Sequence, residues 1–360
     1  MGLKESITIV APGRICLFGD HQDYLGLPVI ACAINRSIQL KAVKNTNNCL
    51  KIIMPDINDE RVFDLNKEVV VQSQRDYFAS ALNVLKRYDC IPNVGYDIIL
   101  TGDIPVNAGL SSSSAVLVSW ITFLLEAFGS SHIIDASFIA RLSYEAEVLE
   151  FNAPGGLMDQ YTISLGDTVF LNTVTGDHIS ISQPIHSLII GESGVPKETL
   201  EVLGQLGDLA KKAIAQVQQE VPTFKIENAT TSTYKNYNHL VNENLRPIFL
   251  AALNNYQITK EALEVMQEDQ INLYRLGELM DAHHFELKEH LKITVPIIDS
   301  MIDGAKAAGA LGAKIVGSGG GGCIVAIALQ GNEKEVIEGI LKGGAKFAYK
   351  IEISKGVQVT

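Results

Sequence analysis

Apolar and polar positions repeat with two different periods along this chain. Between residues 29 and 44 they alternate in the manner of a half-buried strand, whereas apolar side chains from Phe78 to Leu85 recur on one face of a helix. The same pattern predicts strands at 7–10, 29–44, 95–101, 187–192, 313–316, 323–329 and 348–353, with hairpins within 52–63 and across 167–172 and 179–184. It predicts helices at 75–87, 116–128, 136–151, 197–220, 243–255, 258–267, 273–291, 296–308 and 334–347.

The order of these elements predicts two domains. The first half is rich in strands, and the second half mixes helices with strands. A length of 360 residues fits about two domains and is ample for a large buried core. We therefore expect an α+β fold with one domain at 1–185, a second at 186–360 and a cleft between them.

Composition and charge exclude several classes of protein. The formal net charge of −12 argues against nucleic acids and anionic membranes as partners, because both attract clustered Lys and Arg. Residues 1–6 lack the apolar run of a signal peptide, and no apolar run reaches the length that spans a membrane. The five cysteines are scattered without a CxxC pair, as in a reduced cytoplasmic protein. Neighbours on a helix point to different faces, so we expect His283 and His284 to be surface residues and not a metal site.

The segment 105–115 carries the strongest sign of chemistry. It is a small, hydroxyl-rich turn that runs straight into the apolar helix predicted at 116–128. Small side chains leave successive backbone N–H groups uncovered, and the helix start adds its positive dipole end, a combination that binds polyphosphates. No GxxxxGK[ST] occurs in the chain, so this is not a Walker loop. Taken alone, the segment is equally compatible with a serine-rich N-cap on a buried helix.

Two further motifs change that balance. Residues 11–24 read APGRICLFGDHQDY, and residues 316–323 read VGSGGGGC. Along the chain, the motif at 11–24 comes first, the serine turn second and the motif at 316–323 third. In this order the three resemble the signature motifs of the GHMP small-molecule kinases. The first motif is most similar to the sugar-1-kinase branch, and GLMDQ at 156–160 resembles the GIMDQ of galactokinases. The resemblance covers roughly residues 9–328.

The resemblance implies a fold, a nucleotide and a metal ion. The fold is a ribosomal-S5-like N-terminal domain with a ferredoxin-like C-terminal domain, and the reaction uses ATP with Mg²⁺. Glycines between two buried strands mark a tight loop with close backbone approach, which argues against a flexible linker at 317–322. The resemblance implies that this loop packs near the phosphates. The residues expected around ATP are Pro105, Asn107, Ala108, Gly109, Leu110, Ser111, Ser112, Ser113, Ser114, Gly319 and Gly320.

Four residues are expected to carry the phosphoryl transfer, which needs neutralised phosphates and an aligned acceptor hydroxyl. By resemblance, Asp159 accepts the hydroxyl proton, and Arg14 lies beside it and helps to hold it ionised. Ser113 and Glu147 are the expected Mg²⁺ ligands, because Glu147 stands twelve residues before Asp159 as in galactokinases. The plainer alternatives are a helix cap for Asp159 and a solvent-facing helix charge for Glu147.

The acceptor pocket is expected to form from Asp20, His21, Asp23 and Gly156. Closely spaced carboxylates are natural acceptors for paired sugar hydroxyls, and they repel a phosphorylated acceptor. The chain departs from the galactokinase pattern at two places. Asp20 stands where galactokinases have a glutamate, and residues 191–197 lack a tyrosine that touches the sugar.

These motifs predict an ATP-dependent kinase that phosphorylates a free sugar, at the anomeric hydroxyl of galactose or a related monosaccharide. A heptose phosphate or a mevalonate-type alcohol as the acceptor is one alternative, and a non-catalytic sensor of sugar and ATP is another. The expected partners are the sugar and ATP, without nucleic acid or membrane. The expected assembly is a monomer or a weak homo-oligomer.

Overall fold

The computed structural model describes residues 4–183, 185–197 and 200–360, and two β-sheets organise this part of the chain. The strands are β1 (Ser6–Phe18), β2 (Val29–Lys44), β3 (Cys49–Met54), β4 (Asp59–Asp64), β5 (Tyr96–Gly102), β6 (Thr168–Leu171), β7 (His178–Ile181), β8 (Leu188–Glu192), β9 (Gly312–Val316), β10 (Cys323–Ile327), β11 (Phe347–Ile351) and β12 (Gln358–Val359). The first sheet has the order β12-β1-β2-β5-β3-β4, with β6 on β2 and β7 on β6. The second has the order β11-β8-β10-β9.

Helices cover these sheets and contribute the buried side chains between them. They are α1 (Tyr77–Lys86), α2 (Ser112–Phe128), α3 (Ala136–Tyr144), α4 (Met158–Leu165), α5 (Leu200–Glu220), α6 (Tyr234–Tyr237), α7 (Arg246–Met266), α8 (Leu273–Phe285), α9 (Pro296–Ala307) and α10 (Glu333–Lys342). The centre of the first layer is α2, whose Trp120 and Phe123 are completely buried. Helix α2 packs against β1 and β2, and this packing fixes its position on the first sheet.

The observed layers confirm the predicted α+β class, and several elements differ in extent from the prediction. The strand predicted at 7–10 continues to Phe18, because a register shift at Pro12-Gly13 lets β1 keep its pairing with β2. The two helices predicted at 243–255 and 258–267 form the single helix α7. The helix predicted at 136–151 is α3 followed by a wider π-helical turn, Glu145–Leu149. Pro184, the end of a predicted strand, and residues 198–199 of a predicted helix lie outside the described residues.

Three elements were not predicted: the short helix α6, helix α4 and strand β12. Helix α4 follows the Pro-Gly-Gly break and carries Asp159 in its first turn. Strand β12 returns the end of the chain to β1, where Val359 pairs with Ile9. In addition, α7 and α8 contribute buried residues to the same core as the first sheet. The division at residue 185 therefore stays a prediction.

The expectation that His283 and His284 lie on the surface is wrong. Both are buried in α8, and His283 is completely inaccessible and stacks on Phe18. Helix α8 has protein on more than one side, so neighbouring side chains that point to different faces are both buried, and one of them packs on β1. The five cysteines are unpaired, and four of them are buried. Among the described residues, no helix combines the length and apolar character needed to cross a membrane.

Candidate active site

A cavity of about 400 Å³ opens between the serine turn, the loop after β1 and the start of the glycine run. It contains charged groups at one end and apolar side chains at the other. Its charged end is lined by Arg14, Asp20, His21, Asp23, Glu147, Asp159 and Lys197, and its apolar end by Ile38, Met54, Ile57, Leu100, Ile104 and Val106. Motifs from both ends of the sequence therefore face one space.

The serine turn forms one wall of this cavity. Helix α2 begins at Ser112, so the next two serines lie in its first turn, where backbone N–H groups have no partner within the helix. Ser111 has a positive φ of 58° and does not cap the helix with its side chain; its hydroxyl donates to Asp159 instead. This geometry differs from a serine N-cap and leaves the helix start available to an anion.

A close approach between two motifs fixes the path of the serine turn. Gly109 has a φ of +91°, and a Cβ placed on it would lie 2.8 Å from the carbonyl oxygen of Val316 at the end of β9. Only glycine fits that conformation and that space without displacing the backbone. The carbonyl of Gly109 also accepts a hydrogen bond from Nη1 of Arg14 at 2.5 Å. The turn is thus held between β1 and the glycine run.

Arg14 and Asp159 form a bidentate ion pair at the floor of the cavity. Nε of Arg14 donates to Oδ1 of Asp159 at 2.7 Å, and Nη2 donates to Oδ2 at 2.8 Å. Burial alone would raise the pKa of Asp159, but the guanidinium and the Ser111 hydroxyl hold it below its ordinary value. The carboxylate is therefore ionised at neutral pH, and 27% of its side chain remains accessible from the cavity. The structure brings together the two predicted catalytic residues, which are 145 positions apart.

The predicted acceptor residues lie beside this pair, but they differ in how many of their polar side-chain atoms already bind the protein. Among the described residues, one donor bonds to Asp23, the backbone N–H of Tyr24 at Oδ1. Its Oδ2 faces Gly156, where an added Cβ would lie 2.5 Å away. Burial and the charge of Asp159 raise the pKa of Asp23 to about 6. By contrast, Asp20 and His21 are buried, and their polar side-chain atoms form hydrogen bonds with other parts of the protein.

Glu147 is buried, so the alternative of a solvent-facing helix charge is wrong. Its two carboxylate oxygens accept from Ser114 at 3.0 Å and from Gln160 at 2.7 Å. Burial raises its pKa to about 7, because no described cation pairs with it. Ser113, the other predicted metal ligand, is exposed one position before Ser114 and lines the same cavity. No group of three or more His, Cys, Asp and Glu side chains in the described part of the chain is arranged to hold a metal ion.

Three residues predicted around ATP are placed elsewhere. Leu110 is completely buried and contacts β1 through its backbone, where its carbonyl accepts from the N–H of Arg14. Gly319 and Gly320 do not line the cavity; Gly319 packs against Ile293, whose carbonyl accepts from the N–H of Gly320. The glycine run instead lines the cavity through its first two residues, Gly317 and Ser318.

The sequence analysis missed Lys197, which enters the charged end of the cavity from the loop after β8. It forms no ion pair with the described residues, although Asp159 and Glu147 lie within electrostatic reach. Burial and the Arg14 guanidinium lower the pKa of Lys197. Its signal in the sequence was a single cation placed just after a buried strand that ends at the predicted cleft. Arg75, with a positive φ of 70°, lines the cavity nearby and was also missed.

Comparison with known families agrees with this geometry. Three family models match the chain: "GHMP kinases N terminal domain" at 76–167, "GHMP kinases C terminal" at 260–346 and "Galactokinase galactose-binding signature" at 2–42. Together they cover more than half of the sequence and contain all the predicted catalytic and acceptor residues. Lys197 and Arg75 lie outside all three matches.

Relatives and solved structures are similar over nearly the whole chain. A galactokinase of Glaesserella parasuis is 29% identical over 92% of this chain and 87% of its own length, and one of Staphylococcus saprophyticus is 26% identical over 99% and 96%. Lactococcus lactis galactokinase in complex with galactose superposes with a TM-score of 0.88 at 22% identity, over 99% of this chain and 95% of its own. Methanococcus jannaschii mevalonate kinase gives 0.73 at 20% identity, over 97% and 98%.

These matches confirm the expected two-domain α+β fold and the class of protein. The chain belongs to the GHMP kinases. Within that family it is galactokinase-like: an ATP-dependent sugar kinase.

Proposed function

We propose that this kinase transfers the γ-phosphoryl group of ATP to the anomeric hydroxyl of galactose or of a close stereochemical relative. The observation that carries the proposal is the single cavity in which the Arg14–Asp159 pair, the free oxygen of Asp23 and the start of α2 meet. The names of the relatives support galactose as the acceptor, as does the Lactococcus lactis protein solved with that sugar.

In this proposal the nucleotide extends across the cavity from its apolar residues to its charged residues. The apolar end, between β5 and the residues around Met54, suits the adenine ring, whereas the first turn of α2 suits the phosphates. Lys197 then lies at the charged end near Asp159, where the γ-phosphate must be to meet the acceptor. An ammonium without an ion-pair partner among the described residues can stabilise, at that position, the charge on the migrating phosphoryl group.

Mg²⁺ fits the donor set beside the phosphates. Glu147 and Ser113 offer oxygen atoms, which this ion prefers, and phosphates complete its shell in many kinases. Burial raises the pKa of this carboxylate to about 7 and no described cation forms an ion pair with it, so a bound cation would favour its ionised form. The ion supplies neutralisation of charge on the phosphates. Ser114 and Gln160 hold the carboxylate of Glu147 in a fixed orientation.

The acceptor side of the reaction uses Asp23 and Asp159. Asp23 accepts hydrogen bonds from sugar hydroxyls through Oδ2, which no described residue occupies. Asp159 accepts the proton of the attacking hydroxyl as the oxygen–phosphorus bond forms, and the bond from the γ-phosphorus to the bridging oxygen breaks to release ADP. Before the transfer, Arg14 keeps Asp159 ionised and oriented towards the acceptor side.

A coupled ADP-release assay over a panel of acceptors tests this proposal. The panel contains galactose, other hexoses and pentoses, mevalonate and a heptose phosphate, with product linkage read by phosphorus NMR. We expect the highest kcat/KM with galactose or an epimer or pentose related to it, and phosphate on the anomeric oxygen. Activity restricted to mevalonate or to a phosphorylated acceptor would contradict the acceptor, and binding without turnover would indicate a sensor. The cytoplasmic location and the monomeric or weakly associating state stay predictions.

A further inference from the structure

Asp20 lies at the cavity wall, but its carboxylate is engaged by the protein. Nζ of Lys314 donates to its Oδ2 at 2.6 Å, and the backbone N–H of Gly317 donates to its Oδ1 at 2.9 Å. The Asp20 side chain is 1% exposed and that of Lys314 is not exposed at all. Lys314 also donates to the carbonyl of Cys16 at 3.0 Å. Charge and hydrogen-bonding capacity are therefore matched inside the protein, as a buried pair requires.

The next residue makes the same connection. Nε2 of His21 lies 3.0 Å from the carbonyl of Ser318, which can only accept, so this nitrogen carries the proton. Nδ1 then accepts from the hydroxyl of Tyr24 at 3.4 Å. Burial lowers the pKa of His21, which favours this neutral form. Two consecutive residues of the loop after β1 thus bind the first two residues of the glycine run.

Asp23 contrasts with both of these residues. Its Oδ2 has no described partner, and it faces the backbone of Gly156 at the cavity. The loop therefore presents to the acceptor one carboxylate oxygen that no described residue occupies, while the side chains of Asp20 and His21 hold the cavity wall in place. A ligand that displaced Lys314 from Asp20 would leave a completely buried ammonium without its anion, which is costly.

We infer that Asp20 is a positioning residue that, with Lys314, anchors the glycine run against the acceptor loop. Asp23, and not Asp20, then accepts the hydrogen bonds of the sugar hydroxyls. This inference rests on the proposed sugar-kinase function and names the residue that determines acceptor specificity. It gives a physical role to the aspartate at a position where galactokinases carry a glutamate. The shorter side chain suits a direct bond to the lysine on β9.

A cycle of charge variants tests the anchor. Asp20→Asn and Lys314→Met each leave one buried group without its partner, so each should lower Tm by about 5–10 °C. The double variant Asp20→Asn/Lys314→Met removes both charges and keeps an oxygen for the N–H of Gly317. It should recover at least half of the summed loss. A double variant as unstable as the sum of the single ones would show that the residues are not coupled, and would overturn the anchor.

Monodeoxygalactoses test which carboxylate reads the sugar. For each analogue, the ratio of kcat/KM for galactose to kcat/KM for the analogue measures how much one hydroxyl contributes to catalytic efficiency. In Asp23→Asn, at least one ratio should fall about tenfold, because the partner of that hydroxyl has lost its charge. In Asp20→Asn/Lys314→Met all ratios should stay within about twofold of the parent. A tenfold fall of any ratio in that folded double variant would make Asp20 a sugar ligand and overturn the inference.

A third variant separates positioning from a purely structural role. Asp20→Ala/Lys314→Met also removes both charges of the buried pair, but it offers no acceptor to the N–H of Gly317. It should lower kcat about tenfold while leaving the deoxy ratios unchanged, because the glycine run lies against the serine turn at Gly109. Parent kcat in this variant would reduce Asp20 to a structural residue and contradict the inference. If the parent turns over no sugar at all, the proposed function fails, and the Tm cycle still decides the anchor.

Discussion

Replacing Asp159 by asparagine removes the proton acceptor and keeps the shape of the side chain. Loss of a general base slows a reaction by about 10²–10⁴, which is about 3–5 kcal/mol of activation free energy. We expect a fall in kcat at the lower end of that range. Arg14 already holds the pKa of Asp159 below its ordinary value, so the carboxylate is a weak base and its gain as a proton acceptor lies at the small end for a general base. The KM for ATP should change little, because the side chain faces the acceptor.

The same substitution has a calculable effect on stability. The asparagine side chain would keep one acceptor for the guanidinium and lose the charge, while the Arg14 side chain is only 4% exposed. A buried charged donor that loses part of its partner costs about 1–3 kcal/mol. The cost stays below that of breaking the Asp20–Lys314 pair, since more than a quarter of the Asp159 side chain reaches solvent. The variant should therefore fold, and its kinetics can be interpreted.

Coupled ADP release at saturating galactose and ATP measures kcat, and thermal unfolding measures the change in stability. Ser111→Ala is the matched control, because it removes the hydroxyl that donates to Asp159 and leaves the ion pair intact; kcat should fall less than tenfold. If Asp159→Asn keeps kcat within a few-fold of the parent, Asp159 is not the proton acceptor. Should Asp23→Asn then be inactive, proton transfer would pass to Asp23, whose pKa of about 6 makes it the stronger base.

Four further substitutions test other parts of the site. With a pKa of about 7, Glu147 is about one-tenth ionised at pH 6 and about nine-tenths at pH 8, so the Mg²⁺ concentration for half-maximal rate should fall about tenfold across that range. Glu147→Gln should raise this concentration and retain only the pH dependence of ATP itself; an unchanged profile would contradict the metal role. Lys197→Met should lower kcat/KM for ATP at least tenfold, and parent values would place the ammonium away from the phosphates. In the parent, kcat/KM for the sugar should decrease as pH falls through about 6 and Asp23 gains a proton, and Asp23→Asn should lack this step. Gly109→Ala should lower Tm, because its Cβ would lie 2.8 Å from the carbonyl of Val316; an unchanged Tm would mean that the turn can move.

Local sequence patterns were sufficient for those parts of the site that depend on the backbone. The serine turn ends in a helix start because small residues precede a continuous apolar run, and α2 begins at Ser112. The glycine run connects two buried strands, as expected from the apolar residues on both sides. These features depend on neighbours a few residues away, so propensity and periodicity report them directly. Resemblance to a family added the expectation that Arg14 and Asp159 meet, which no local pattern contains.

Only the tertiary structure decided which polar groups are free to act. The sequence gives no reason to distinguish Asp20 from Asp23. In the structure, Lys314, 294 positions after Asp20, forms an ion pair with Asp20, whereas Oδ2 of Asp23 has no partner among the described residues. Lys197 gained a place in the site because the loop after β8 faces the cavity. The sequence by itself determined the two-domain α+β fold, the serine turn that leads into α2 and the kinase class, since these follow from short-range pattern and motif order. The availability, charge state and partners of each side chain were decided by packing, because burial and distant neighbours set the free energy of a charge.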